Sequence, residues 1–189
     1  MNIVEQIKKD ILEKSNWYKE QDAGHYDFWE NHIKYVYKEA ITLAKKYNAD
    51  MEIVKLGALL HDIALMSKVG TKADHHENGR AIAEKILTKY NYPAEKRERV
   101  LDCVLHHRSG KNARNIEELC VADADILSHF DNIVMLFSCI FVINGVKDCL
   151  TARKTIREML AKDFDDLSEK TKPEFEDRYK TTLKVVLGD

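Results

Sequence analysis

Two prolines and seven glycines in 189 residues leave this chain few helix breakers and few residues suited to tight turns. Val/Ile/Thr alternation of the strand type is missing as well, which excludes a hairpin-rich β fold. No apolar run reaches the roughly 18 residues of a membrane span. The opening segment "MNIVEQIKKDILEK" is amphipathic and has neither the apolar core nor the cleavage site of a secretory signal. The four cysteines, Cys103, Cys120, Cys139 and Cys149, show no C-x-x-C spacing, which argues against a thiolate zinc site or a disulfide framework. They read as reduced residues of a cytoplasmic protein. No charge sign dominates either: Lys+Arg 30 against Asp+Glu 32 leaves a net charge of -2, so neither membrane nor nucleic acid is an expected partner.

What the chain does have is helical periodicity almost throughout. Apolar residues recur at i, i+3, i+4 and predict helices at about 2–15, 25–48, 51–66, 73–90, 93–108, 116–144, 148–162 and 173–187. With 44% hydrophobic residues, the length suits one core. The expectation is therefore a single all-α bundle spanning 1–189. Asp50 is placed to cap the third helix, and Pro93 suits the first turn of the fifth. The segments "MSKVGTKAD" and "RSGKNARN" read as loops over a site, and they carry Lys68, Lys72, Arg108 and Lys111.

Chemistry enters with histidine and aspartate. Phe28, His32, Val36, Ala40, Leu43 and Tyr47 form one helical stripe, and Ile53, Gly57, His61 and Ala64 form another. Two imidazoles are thus directed at the core. Either one alone reads more readily as a hydrogen-bonded core histidine than as a ligand. Asp62, inside "ALLHDIAL", is costly to bury unless it is paired or bound to a cation. In "ELCVADADILSHFDN", Asp123 and Asp125 point about 200° apart on a helix, so only one of them suits a given ion. Asp123 shares the face of Leu127, Phe130, Val134 and Phe137. Asp125 shares that of Ser128, His129 and Asn132, the face better placed to line a cleft.

The order His32, His61-Asp62 after "ALL", and an "AD-x-L" aspartate on a later helix resembles the HD-domain metal-dependent phosphohydrolase superfamily, over about residues 25–135. The resemblance implies an HD-type bundle with the metal site at its centre and helices 148–189 packed on that core. It assigns His32, His61, Asp62 and Asp125 as metal ligands, with Asp123 as the alternative to Asp125. The implied cofactor is a divalent ion (Mn, Mg, Co, Ni or Fe). The implied substrate is a nucleotide or similar small phosphate compound.

Some members of the superfamily add two histidines for a second ion. Here His75 in "DHHENGRA" and His107 in "VLHHRSGK" stand for them, although the gap from Asp62 to His75 is short for that class. Without such a role, His75 and His76 read as a solvated helix start, and His106 and His107 as an imidazolium favoured at a helix C-terminus. The acidic residue that some relatives carry a few positions after the "HD" is missing from "HDIALMSK". Asp62 or His75 is left to handle protons, His107 and Arg108 to meet the phosphate. Tyr26, Phe28 and Trp29 offer rings for a base, or simply core packing. Two further readings of the resemblance stay open: a non-catalytic regulatory ligand-binding HD domain, and an HD-type di-iron oxygenase using His75 and His107.

Overall fold

In the computed structural model, which describes residues 2–21 and 26–187, the chain is helical with no strand among the described residues. The elements are α1 (Ile3–Gln21), a π-helical turn (Trp29–Ile33), α2 (Lys34–Tyr47), α3 (Met51–Leu60), α4 (Ile63–Met66), α5 (His75–Lys89) and α6 (Ala94–His106). A 3-10 turn (Gly110–Asn112), α7 (Ile116–Asp131), α8 (Ile133–Ser138), a second π-helical turn (Cys139–Ile143), α9 (Cys149–Asp166) and α10 (Lys172–Leu187) complete it. The all-α expectation holds. The expected start of the second helix, at residue 25, lies outside the described residues.

Burial follows the periodicity. Val4, Ile7 and Ile11 form the inner stripe of α1, and Val36, Ala40, Leu43 and Ala44 that of α2. Helix α3 is buried from Leu56 to Leu60, so it runs through the middle of the molecule. Asp50 caps it as expected, accepting from Glu52 N (3.1 Å) and Ile53 N (3.4 Å). Pro93 sits one position earlier than expected, at the N-cap of α6 rather than inside its first turn. Close approach of α3 to α6 depends on Gly57. A Cβ there would stand 2.8 Å from Cys103 Cβ and 3.0 Å from Val121 Cγ2.

Two predicted helices prove to be broken. The 51–66 segment stops at Leu60, and Asp62 takes φ -102°, ψ 19° before α4 begins. The 116–144 segment breaks at Asn132 (φ -127°, ψ 61°), where the axis turns by 77°. Asn132 itself stabilises the new start by accepting from Met135 N (3.3 Å). Helices α1 and α9 run longer than predicted, to Gln21 and Asp166. One hydrophobic cluster joins α1, α2, α3, α6 and α7 to Ala152, Ile156 and Leu160 of α9 and to Val186 of α10. Among the described residues, no single helix is long and apolar enough to cross a membrane.

Candidate metal centre

Six side chains from five parts of the chain meet at the inner end of α3. His32 comes from the first π-helical turn, His61 and Asp62 from the break after α3, and His75 from the first residue of α5. His107 follows α6, and Asp125 lies in the middle of α7. Most of these positions are helix ends or irregularities. A regular helix would point neighbours His61 and Asp62 about 100° apart, and the break frees Asp62 to turn toward the same point as His61. The π-helical turn does similar work for His32 by shifting its register on the stripe.

The imidazoles are oriented by a shared local device. His61 Nδ1 donates to the Ala58 carbonyl (2.9 Å), His75 Nδ1 to Lys72 (2.8 Å) and His107 Nδ1 to Val104 (2.7 Å), each three residues earlier. His32 Nδ1 meets Ser128 Oγ at 3.3 Å, and that hydroxyl donates to the Asp125 carbonyl at 2.7 Å. With every Nδ1 committed as a donor, the Nε2 atoms are the ones turned to the centre. His32 Nε2 and His61 Nε2 lie 3.0 Å apart, and His75 Nε2 and His107 Nε2 lie 2.9 Å apart.

Asp62 stands between the two imidazole pairs. Its Oδ2 is 3.4 Å from His32 Nε2 and 3.6 Å from His61 Nε2, whereas its Oδ1 is 3.3 Å from His75 Nε2 and 3.8 Å from His107 Nε2. Asp125 Oδ1 closes the first side, 3.2 Å from His32 Nε2 and 3.7 Å from His61 Nε2. The result is one set of two imidazoles with two carboxylates, and a second set of two imidazoles sharing Asp62.

Electrostatics favour positive charge at this point. Burial alone would push the Asp62 carboxyl up, but His61 and hydrogen bonds from His32 and His75 hold it well below the usual carboxylate range. Asp125 is lowered in the same way, with His32 and His61 overcoming its burial. His32 is pushed up to about 10: burial opposes this, and Asp125 and Asp62 outweigh it. His107, buried and beside His61, is held down to about 4 and stays neutral with its lone pair on Nε2. Imidazole lone pairs facing each other at about 3 Å need a shared cation. A proton on His32 is one, and a divalent ion is a better match to two ionised carboxylates. The donor set, four imidazole nitrogens and two carboxylates with no thiolate, fits a borderline or hard divalent metal.

Other expectations resolve individually. Asp123 is buried but faces away from the histidines, accepting from Ser168 N (2.9 Å) and Ser168 Oγ. Burial pushes its carboxyl up, partly offset by Ser168 and Thr171. As an alternative to Asp125 it is therefore corrected, for the reason helix geometry gave: two residues apart means opposite faces. The solvated reading of His75 is also corrected, since it is buried at 7% exposure, as is the imidazolium reading of His107. Arg108 is exposed and donates to the Ala73 carbonyl (3.2 Å), linking the two loops. Lys111 pairs with Asp165 (2.8 Å), and Lys68 lies over the Tyr18 ring (4.9 Å). Phe28 is core, packed edge-on against Tyr18 and Tyr26. Tyr26 is partly buried, and desolvation together with Cys139, Asp62 and Asp125 pushes its hydroxyl pKa up.

Sequence reasoning missed the support around these residues. Ser128 and His129 share the Asp125 face, but their partners, His32 and Asp163, are distant in sequence. Nothing in the spacing pairs His129 with Asp163, whose Oδ2 lies 2.8 Å from His129 Nδ1.

Comparison with known proteins follows the same lines. The model of the HD domain matches residues 29–129, more than half of the chain, and takes in all six converging residues. The chain belongs to the HD-domain family. The crystal structure of Bacillus subtilis YpgQ in complex with ADP is similar over 98% of this chain and 94% of that one, with a TM-score of 0.69 at 20% identity, a likeness of fold. The tRNA (cytidine(56)-2'-O)-methyltransferase of Thermoplasma volcanium is 52% identical over 40 residues, 21% of this chain, which spans 12% of that protein's length. That likeness is confined to the segment.

Proposed function

We propose that the protein is a divalent-metal-dependent phosphohydrolase that cleaves phosphoester or pyrophosphate bonds of a nucleotide or similar small phosphate compound. The observation that carries this reading is the convergence of His32, His61, Asp62 and Asp125 on one point, with Asp62 shared by His75 and His107. His32, His61, Asp62 and Asp125 would hold one ion. Asp62, His75 and His107 offer three donors for a second. A bound divalent ion supplies Lewis-acid charge that neutralises phosphoryl oxygens and makes nearby water more acidic.

The chain's own groups do the remainder. Carbonyl-anchored Nδ1 atoms fix the imidazole planes, so the donors need little reorganisation. Arg108, exposed beside His107 and tied to the neighbouring loop, presents a planar fork suited to phosphate oxygens. Lys72, in the loop before α5, adds charge there, whereas Lys111 is engaged by Asp165. The neutral state of His107 supports a ligand role for it over direct cationic contact with phosphate. YpgQ was crystallised with ADP, which supports a nucleotide as the phosphate compound here. A single domain over 1–189 and a cytoplasmic location complete the reading, supported by the shared hydrophobic cluster and the free cysteines.

The test is hydrolysis of nucleoside mono-, di- and triphosphates with Mn²⁺, Co²⁺, Ni²⁺, Mg²⁺ and Fe²⁺, alongside metal analysis. Metal-stimulated phosphate release that His61→Ala and Asp62→Ala abolish is the expected result. Silence across the panel with metal bound would leave the regulatory ligand-binding reading. The second reading with a specific observation behind it is the di-iron oxygenase, favoured by the His75 and His107 pair. Two redox-active irons per chain and oxygen consumption would select it.

A further inference from the structure

Proton transfer is the part of this chemistry that the six converging residues leave open. Their Nε2 atoms and carboxylate oxygens face one another, and a group holding a cation is poorly placed to take a proton from attacking water as well. His129 stands at the edge of the same site. Its ring stacks on that of His32 at 5.9 Å with 21° between planes, and potential donor atoms of His32, Asp125 and His129 lie within 4.8 Å of one another.

Its anchoring differs in kind from that of the other four imidazoles. They give Nδ1 to a backbone carbonyl or a serine hydroxyl, both neutral. His129 gives Nδ1 to the carboxylate of Asp163, which arrives from α9 at 2.8 Å. A carboxylate can only accept, so the neutral tautomer compatible with this bond is the one with its proton on Nδ1 and its lone pair on Nε2. A carboxylate also stabilises the imidazolium formed when that lone pair takes up a proton. Exposure differs too: the side chains of His61 and His107 are 0% and 1% exposed, and that of His129 is 23%. It is the imidazole that entering water and substrate can reach.

We propose that His129, oriented by Asp163, is the general base of the hydrolysis assigned above, on which this inference rests. The oxygen of the attacking water forms a bond to phosphorus while its proton passes to His129 Nε2. The bond from phosphorus to the leaving oxygen breaks, and its electron pair goes to that oxygen. The imidazolium returns the proton to the leaving oxygen, so one water is consumed and no oxidant or further reactant is required. His129 then takes the role that the "HDIALMSK" segment, with no acidic residue after Asp62, leaves unfilled. Asp163 is a positioning residue.

The experiment uses the full-length metal-loaded protein with the nucleoside phosphate it hydrolyses best. His129→Gln should lower kcat by ~10²-fold, the usual worth of a positioned base, with KM little changed and metal per chain unaltered. Asp163→Asn should shift kcat in the same direction, also without metal loss. Added imidazole should restore part of the activity of His129→Ala, an effect that a residue merely pinning α7 to α9 would not show. Loss of metal in His129→Gln would make the residue a ligand and overturn the proposal. Wild-type kcat in His129→Gln would overturn it too, and would leave the phosphohydrolase reading standing. A wild-type protein that hydrolyses none of the phosphates would sink both.

Discussion

Asp123 and Asp125 show how much two residues of spacing decide. Both are carboxylates on α7, the first buried and the second partly exposed, and one meets Ser168 while the other meets His32 and His61. Alanine at 125 should strip metal from the protein with a modest effect on folding. Alanine at 123 should keep the metal and lose about 1–3 kcal/mol, because the Ser168 donors are left buried and unpaired. Elemental analysis and denaturant titration of the two variants separate these outcomes, and metal loss from Asp123→Ala would reverse the assignment. His32 gives a pH prediction. In the metal-free protein its pKa is pushed up to about 10, so at neutral pH the ring is protonated and an incoming ion must displace that proton. Raising the pH toward that value removes the competitor, so affinity should rise with pH, by at most about tenfold per unit for one proton. Metal titrations at several pH values check the sign, and affinity independent of pH between neutrality and mild alkalinity would contradict it.

Among the elements, the irregularities carry the site, and they are what periodicity conceals. An apolar stripe runs unbroken through Leu56–Leu65 because both sides of the break at Asp62 are buried, so the pattern reads as one helix. The same is true of 116–144, where apolar residues continue past the 77° turn at Asn132. His32, His61 and Asp62 stood out because a polar residue on a buried stripe is costly, whereas Asp125 was picked out over Asp123 only by its place in the "AD-x-L" order. The roles of Ser128 and Asp163 were not, since both depend on which helices become neighbours. Gly57 links packing to the site. It lets α3 lie against Cys103 on α6, and those two helices end at His61 and His107, whose rings are 5.1 Å apart. Gly57→Val should cost about 1–3 kcal/mol through overpacking. It should also weaken metal binding although it alters no donor. A variant with lowered stability and wild-type metal affinity would show that the two helix ends are positioned independently of this contact.

For the whole molecule, the converging donors act as a cross-link that only the folded chain can form. They come from positions 32, 61, 62, 75, 107 and 125, so an ion held by His32, His61, Asp62 and Asp125 would tie the first π-helical turn, the end of α3 and α7 together, and one held by Asp62, His75 and His107 would add α5 and α6. The unfolded chain offers the same side chains without their orientation, and binds far more weakly. Metal should therefore stabilise the fold by mass action, by about 2.7 kcal/mol at a hundredfold excess of free ion over Kd. For a chain of this size that corresponds to a rise in Tm of roughly 5–10 °C. Chelation should reverse it. The comparison that gives the shift its meaning is His61→Ala, which retains most of the core but not the convergence: its Tm should be nearly insensitive to added metal. Ions that bind only scattered surface carboxylates would raise both proteins equally, and that result would remove the centre from the account of stability. A large shift in the wild type that vanishes in the variant ties the stability of the bundle to the same side chains that are assigned its chemistry.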